Sequence, residues 1–448
     1  MVRLILLLLF VCSAIYSQPR RILYVTHSAG FRHGSIEPSQ RVLQQLAQRS
    51  GLFTVTATED LSFLEPERLN TFDAVFFFTS GELALSAAQK QGLLDFVRNG
   101  KGFGGAHSAT DTLYQWPEYG ELIGGYFDGH PWVQNVRIDV EDASNPLVSH
   151  VAPSFELREE IYQHRNFSRA NVRVLLTLDV DSVNLGAEGV NRRDGDFALA
   201  WVRPYGRGRV FYTALGHFDE TWQDPRVQTM LQGALEWLVG ARTIEAEPRA
   251  ARTPVIAEGG VMTAGAGGIR DIVTHGSIVS IYGSNLTEGP SMAGNVASSG
   301  TRLAGSTVFV NGQRAKLLYA GPEQINVLMP GELTEPVEIK VRSASGLEST
   351  RGVRLEPTAA GFFTYTTGPG YVTLWMTGLG KVERRGELWH TVEVPQVWLN
   401  GAPAQVWYSG LAPGWEGLYQ VNVESTSATI SEIRLQIARA QTTIRFLP

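Results

Sequence analysis

The 448-residue chain reads as an α/β domain built on a wound, mostly parallel sheet, followed by an all-β sandwich region. Two observations predict this. The first half alternates apolar strand-like runs with stretches of helical period, and the second half consists of short β-branched and aromatic runs separated by Gly, Asn, Pro and Ser. Seven of the nine histidines fall between His27 and His217, several of them at the exits of apolar runs. Imidazole is the side chain that most readily accepts a proton, donates one or binds a metal near neutral pH, so the first half is where chemistry is expected.

A composition of 43% hydrophobic and 10% aromatic residues is enough for two or three buried cores. The net charge of −6, without a dense Lys/Arg run, disfavours nucleic acid as a partner. Met1-Val2-Arg3 followed by an apolar stretch over 4–16 is too short to span a bilayer and has the form of a secretory signal. Residues 1–18 are therefore expected to be removed near Ser17 or Gln18, leaving a secreted or periplasmic protein with no transmembrane segment. The sole cysteine, Cys12, lies in that segment, and Val11 before it matches a lipoprotein signal poorly. The mature chain is then thiol-free, which removes disulfides, cysteine nucleophiles and thiolate metal ligands together.

Taken in order, 22–26 is an apolar strand, 40–48 is helical and 53–58 is a β-branched strand. The continuous apolar run over 74–79 suits a strand covered on both faces. A helix over 86–98 is capped by Gly100, and 101–106 is the next strand. After Pro131, residues 133–140 and 155–162 alternate as strands. Residues 198–203 and 210–213 form a hairpin through Pro204-Tyr205-Gly206-Arg207-Gly208, and a helix over 227–238 closes an α/β domain spanning 19–241. Residues 242–268, rich in Ala, Gly, Glu and Pro, read as a linker. The β region, 269–448, holds a degenerate repeat: 307–321 matches 396–410, each with a hairpin turn (Asn311-Gly312, Asn400-Gly401) and a following Gln-x-Asn-Val, so two related units are expected.

In Gly104-Gly105-Ala106-His107-Ser108 a strand enters Gly-rich backbone ahead of a helical segment. A sharp turn of that kind lifts its exposed residue above the sheet edge, and here the residue is His107, a base or metal ligand, with Ser108 beside it. His27 and His33 flank a turn after the first strand, where Arg32 is placed to grip a carboxylate or hydroxyl. Asp128-Gly-His130-Pro-Trp132 offers His130 and an indole for stacking on a sugar. Glu160, Tyr162 and His164 fall on one side of a strand by its period of two, giving an acid, a phenol and an imidazole together. His217 sits at another strand exit. Three of these histidines with Glu160 would satisfy zinc or a similar divalent ion with an open position, although the spacing has none of the HExxH pattern. His150, His275 and His390 read as structural.

Several of these segments together resemble the trehalose-utilization (ThuA-like) family, whose fold is similar to class I glutamine amidotransferases. They are Val25-Thr-His-Ser-Ala-Gly-Phe-Arg-His33, Phe72-Asp-Ala-Val75, Gly102-Phe-Gly-Gly-Ala-His-Ser108, Gly125-Tyr-Phe-Asp-Gly-His130, Tyr162-Gln-His164 and the segment from Ala200 to His217. The resemblance covers about residues 20–240 and implies a role in carbohydrate metabolism, on a disaccharide or an oxidised sugar. His107 stands where the amidotransferases carry their cysteine, so glutamine hydrolysis through a thioester is excluded. From about Pro254 the chain resembles the immunoglobulin-like C-terminal domain of exported acidobacterial proteins, through 276–286, 324–326 and 413–422. The sequence thus points to a carbohydrate ligand. His107, His27, His33, Glu160, His164 and His217 are its candidate acid, base or metal-ligand groups, and Arg32, Trp132, Tyr162 and His130 its candidate binding residues. The alternative is a glycan-binding protein without catalysis on the same scaffold.

Overall fold

The structure, a computed structural model, describes residues 18–192, 194–294, 300–425, 429–438 and 440–445. The expected signal, apart from Gln18, and Cys12 lie outside the described residues. In the α/β domain, strand β1 (Arg20–Val25) leads to helix α1 (Ile36–Ser50), and β2 (Phe53–Thr58) to a short α2 (Pro66–Leu69). Strand β3 (Ala74–Phe77) is buried at every residue, as a parallel strand with helices on both faces must be. Helix α3 (Ala87–Arg98) starts at Ser86, whose hydroxyl accepts from Gln89 N while the Gln89 side chain accepts from Ser86 N. Such a reciprocal cap stabilises a helix by about 1 kcal/mol.

Strand β4 (Gly102–Ala106) runs into a single 3-10 turn at His107–Thr110, followed by α4 (Pro117–Ile123) and the two-residue β5 (Tyr126–Phe127). Next come β6 (Trp132–Val140), β7 (Ser154–Ile161), β8 (His164–Arg165), β9 (Arg173–Leu178) and the hairpin β10 (Ala198–Tyr205) and β11 (Gly208–Thr213), before α5 (Asp219–Gln223) and α6 (Pro225–Leu238). The main sheet has nine strands in the order β2-β1-β3-β4-β11-β10-β9-β6-β7. The pairs from β2 through β11 are parallel, and those from β11 through β7 are antiparallel. A wound parallel half therefore carries an antiparallel extension, and β5 pairs separately with β8.

The glycines of β4 are there for space. A Cβ on Gly104 would lie 2.4 Å from the Phe76 ring, and one on Gly105 would lie 2.7 Å from Ala109. Only bare backbone lets α6 and the 3-10 turn close on this strand.

The rest of the chain forms two β units, each of two facing sheets. In the first, Val255–Thr263, Ile278–Ser284, Gln324–Leu328, Lys316–Ala320 and Met292–Ala293 form one sheet, with Val337–Arg342, Ser306–Val310 and Glu348–Leu355 in the other. Val255–Thr263 corrects the reading of 242–268 as linker throughout: despite its glycines it pairs antiparallel with Ile278–Ser284, and Gly259 at φ 63° sits where the register shifts. In the second unit the repeated segment recurs as Gln396–Leu399, Ala402–Ala404, Val406–Leu411 and Tyr419–Glu424. Both Asn-Gly turns have left-handed φ at each residue, 49° and 81° in one and 50° and 84° in the other, as a two-residue hairpin loop requires. The buried apolar cluster of the first unit is continuous with that of the α/β domain, whereas the second unit has its own. Among the described residues no helix is long and apolar enough to cross a membrane.

Candidate functional site

The carboxyl ends of β1, β3, β4 and β11 open on one edge of the sheet, where a wound α/β fold is expected to bind its ligand. His107 stands there with φ 47°, a left-handed conformation that costs a non-glycine residue roughly 1–2 kcal/mol. Two contacts hold it. Its carbonyl accepts from the Tyr212 hydroxyl at 2.7 Å, and its ring Nδ1 lies 2.8 Å from the Ala214 carbonyl. A carbonyl can only accept, so Nδ1 carries a proton and Nε2 faces the interior of the site.

Four side chains converge on that nitrogen or beside it. The Tyr162 hydroxyl is 3.1 Å from His107 Nε2, Glu160 Oε2 is 3.3 Å away and His217 Nδ1 is 3.2 Å away. His33 completes the group, its ring centroid 4.7 Å from that of His107 and 5.4 Å from that of His217. Glu160 Oε2 also lies 3.0 Å from His217 Nδ1, while its other oxygen is 3.2 Å from His130 Nδ1. His107 is wholly enclosed, whereas His217 and His130 are 24% and 48% exposed, so the cluster faces solvent on their side.

Glu160 comes from the end of β7, the edge strand five places from β4 in sheet order, and Tyr162 from the residue just past that strand. Their approach to His107 spans the antiparallel half of the sheet. Glu159 secures that approach: its buried carboxylate accepts from Gly216 N at 2.9 Å, His217 N at 3.1 Å, Glu160 N at 2.9 Å and the Thr221 hydroxyl at 2.7 Å. Sequence reading passed over Glu159 as the neighbour of Glu160. The signal available was an acid on the inward-facing side of a strand, which has to be matched by donors from elsewhere.

The protonation states follow from the surroundings. Burial, helped by His107 and His217, lowers His33 to a pKa of about 3, so it is a neutral ring. Burial alone would raise Glu160, but hydrogen bonds with His107 and His217 outweigh it and hold the carboxyl below the usual range. The Glu160 hydrogen bond raises His217, and burial with the Glu160 charge keeps Tyr162 a phenol, hence a donor. The site thus combines a carboxylate, a phenolic O–H and at least one imidazole lone pair within a few ångströms.

The other expected site residues are placed differently. His27 lies at the rim with Nδ1 on the Glu59 carbonyl at 2.9 Å, and Arg32 pairs with the Glu59 carboxylate at 2.8 Å on the surface. Ser108 is buried, its hydroxyl 3.5 Å from His33 Nδ1. His164 does not share the face of Glu160 and Tyr162, because β7 ends at Ile161 and the period of two lapses in the turn that follows. Its ring is enclosed behind Tyr162 by Trp201 and Tyr212, and burial lowers its pKa to about 3. Trp132 does not present a stacking face: it is 4% exposed, packs edge-on against Phe197 and donates Nε1–H to the Asn184 carbonyl at 3.0 Å. The indole begins β6, and its inward position made it a core residue.

Residues 21–238 match the family described as ThuA, trehalose utilisation. A putative ThuA-like protein from Bacteroides uniformis is 26% identical, with a TM-score of 0.43, over 50% of this chain and 94% of that one. Another from Parabacteroides merdae is 18% identical, with a TM-score of 0.40, over 52% of this chain and 93% of that one. No curated protein matches.

Proposed function

Because residues 21–238 belong to the trehalose-utilisation (ThuA) family, we propose that this domain processes a carbohydrate, a disaccharide or an oxidised sugar, at the strand-end histidine cluster. The observation that carries the reading is the convergence of His33, His107, Glu160 and His217 on one another, with the Tyr162 hydroxyl 3.1 Å from His107 Nε2. A sugar hydroxyl or carbonyl entering beside His217 and His130 would meet a phenolic donor on one side and an imidazole or carboxylate acceptor on the other. That pairing suits proton removal next to a carbonyl, or proton delivery to a departing oxygen. Arg32 and His27 at the rim would contact the outer part of a larger ligand. We further propose that the chain acts outside the cytoplasm, on the strength of the N-terminal 1–18 segment.

The test is turnover of trehalose and of its keto-oxidised derivative by the purified full chain, with products followed by NMR. His107→Ala is expected to lower turnover by about 100-fold or more, within the range ascribed to a positioned acid–base group. Full activity of His107→Ala on every substrate that the native protein turns over would refute the assignment. Saturable sugar binding without any product would instead favour the glycan-binding reading.

A further inference from the structure

We propose that His33, His107, Glu160 and His217 form a binding site for one divalent first-row transition ion of the zinc type. The site is read from the donor atoms and stands whether or not the substrate is a sugar.

One donor atom from each of the four residues lies within 4.8 Å of all the others, and among the described residues this is the group of His, Cys, Asp and Glu that comes together in this way. Three of the donors form a nearly equilateral triangle: His107 Nε2 to His217 Nδ1 is 3.2 Å, His107 Nε2 to Glu160 Oε2 is 3.3 Å and His217 Nδ1 to Glu160 Oε2 is 3.0 Å. Bonds of about 2.05 Å to a tetrahedral ion separate neighbouring ligand atoms by about 3.3 Å, and right-angled bonds of the same length by about 2.9 Å. The observed edges fall in or close to that interval. Hydrogen bonding accounts for them less well, since a single ring nitrogen offers one proton or one lone pair, yet His107 Nε2 has Tyr162, Glu160 and His217 all within 3.3 Å. One cation set off the plane of the triangle, about equally far from its corners, satisfies all three donors at once.

The surroundings have the features of a built metal site. His107 gives its other ring proton to the Ala214 carbonyl, the contact that fixes the tautomer and aim of a metal-binding imidazole. Glu160 offers Oε2 inward while Oε1 faces His130, as a one-oxygen ligand held by an outer partner would. Glu159 pins the backbone N–H of His217, fixing the third donor from behind. Three imidazoles and one carboxylate favour zinc, cobalt or a neighbouring ion over magnesium or calcium, which prefer oxygen. The half-exposed His130 side leaves an approach for water or substrate.

The experiment is a titration of chelator-treated full-length protein with Co²⁺, read by visible absorption and by calorimetry, with Zn²⁺ as competitor. The expected result is one equivalent bound with the intense visible bands of a distorted four- or five-coordinate ion, displaced by Zn²⁺. His33→Ala, Glu160→Gln and His217→Ala should each weaken binding by more than about 100-fold, beyond what loss of an outer partner causes, whereas His150→Ala, an exposed histidine outside the group, should bind as the native chain does. His217→Ala removes a partly exposed side chain and leaves the buried His107 untouched, so it remains informative if the other variants fold poorly. Failure of the native protein to take up one equivalent, or equal uptake by His217→Ala, would overturn the proposal.

Discussion

The α/β domain buries two clusters of charged and titratable side chains, and they are put together differently. At the junction with the first β unit, Glu141 receives Arg169 at 2.7 Å and Arg302 at 2.6 Å, Asp196 receives Arg169 at 2.7 Å, and Asp142 receives Arg173 and Arg249, both at 2.7 Å. Each carboxylate there meets a guanidinium, a planar donor that is always charged. At the strand ends Glu160 meets the imidazoles of His107, His217 and His130, and the His33 ring beside them is lowered to a pKa of about 3. The junction supplies its own permanent countercharge and closes two domains, whereas the strand-end carboxylate is paired only with imidazoles, which can lose their protons. A buried group that balances itself is built for cohesion, and one that does not is built for something that arrives.

The largest expected effect on stability tests the cohesive half of this contrast. Glu141→Gln leaves Arg169 and Arg302 without their shared carboxylate and should cost about 3–5 kcal/mol in urea unfolding, as breaking a buried pair does. A loss below about 1 kcal/mol would mean that the junction carries little weight.

Acid should act through the same residue. Burial alone would raise Glu141, but Arg169 and Arg302 outweigh it and hold it below its ordinary value of 4.5. A depressed folded-state pKa gives stability that is complete above the unfolded value and is lost as pH falls through the folded one. Asp139, kept high by burial and by Asp179, has the opposite sign and loses stability as pH rises. The difference between native and Glu141→Gln urea midpoints isolates Glu141, and it should shrink as pH is lowered below 4.5. A difference independent of pH would contradict that assignment.

A middle-sized effect is expected for Glu159→Gln, which exchanges an acceptor of four hydrogen bonds for an amide with one oxygen. It should cost about 1–3 kcal/mol in urea unfolding and lower turnover by displacing His217. Unchanged stability would show that the loop holding His217 stands without it. The smallest effect belongs to Glu160→Gln in metal-free protein. It loses hydrogen bonds with His107 and His217, but those rings can give up a proton as a guanidinium cannot, so the loss should stay at about 1.5 kcal/mol, the low end for hydrogen bonds to a charged group. A loss as large as that of Glu141→Gln would erase the distinction between the clusters.

How far the molecule could be read in advance follows the same line. Strands such as β3 and the helix α3 were legible because four consecutive apolar residues, or a stretch of helical period closed by a glycine, are local signals. The repeat was legible because Asn-Gly turns impose their own φ values. Val255–Thr263 was hidden, since its glycines belong to a register shift in a strand and look like linker on paper. At the site, the strand exits carrying His107 and His217 could be recognised, but the partnership of Glu160 with them depends on contacts between strands far apart in a nine-stranded sheet. Trp132 and His164 were misplaced for a related reason: polar-tipped rings look available in sequence, and only packing decides whether the tip meets solvent or a neighbouring carbonyl.

The most direct measurement is the shift in melting temperature when Zn²⁺ is added to chelator-treated native protein, Glu160→Gln and Glu141→Gln in parallel. An ion that binds only the folded state stabilises it in proportion to the logarithm of its concentration over its Kd. The expected result is a rise for the native chain, the same rise for Glu141→Gln from its lower starting point, and none for Glu160→Gln. Equal shifts in Glu160→Gln and the native chain, or no shift in the native chain, would contradict a strand-end cluster that awaits a cation.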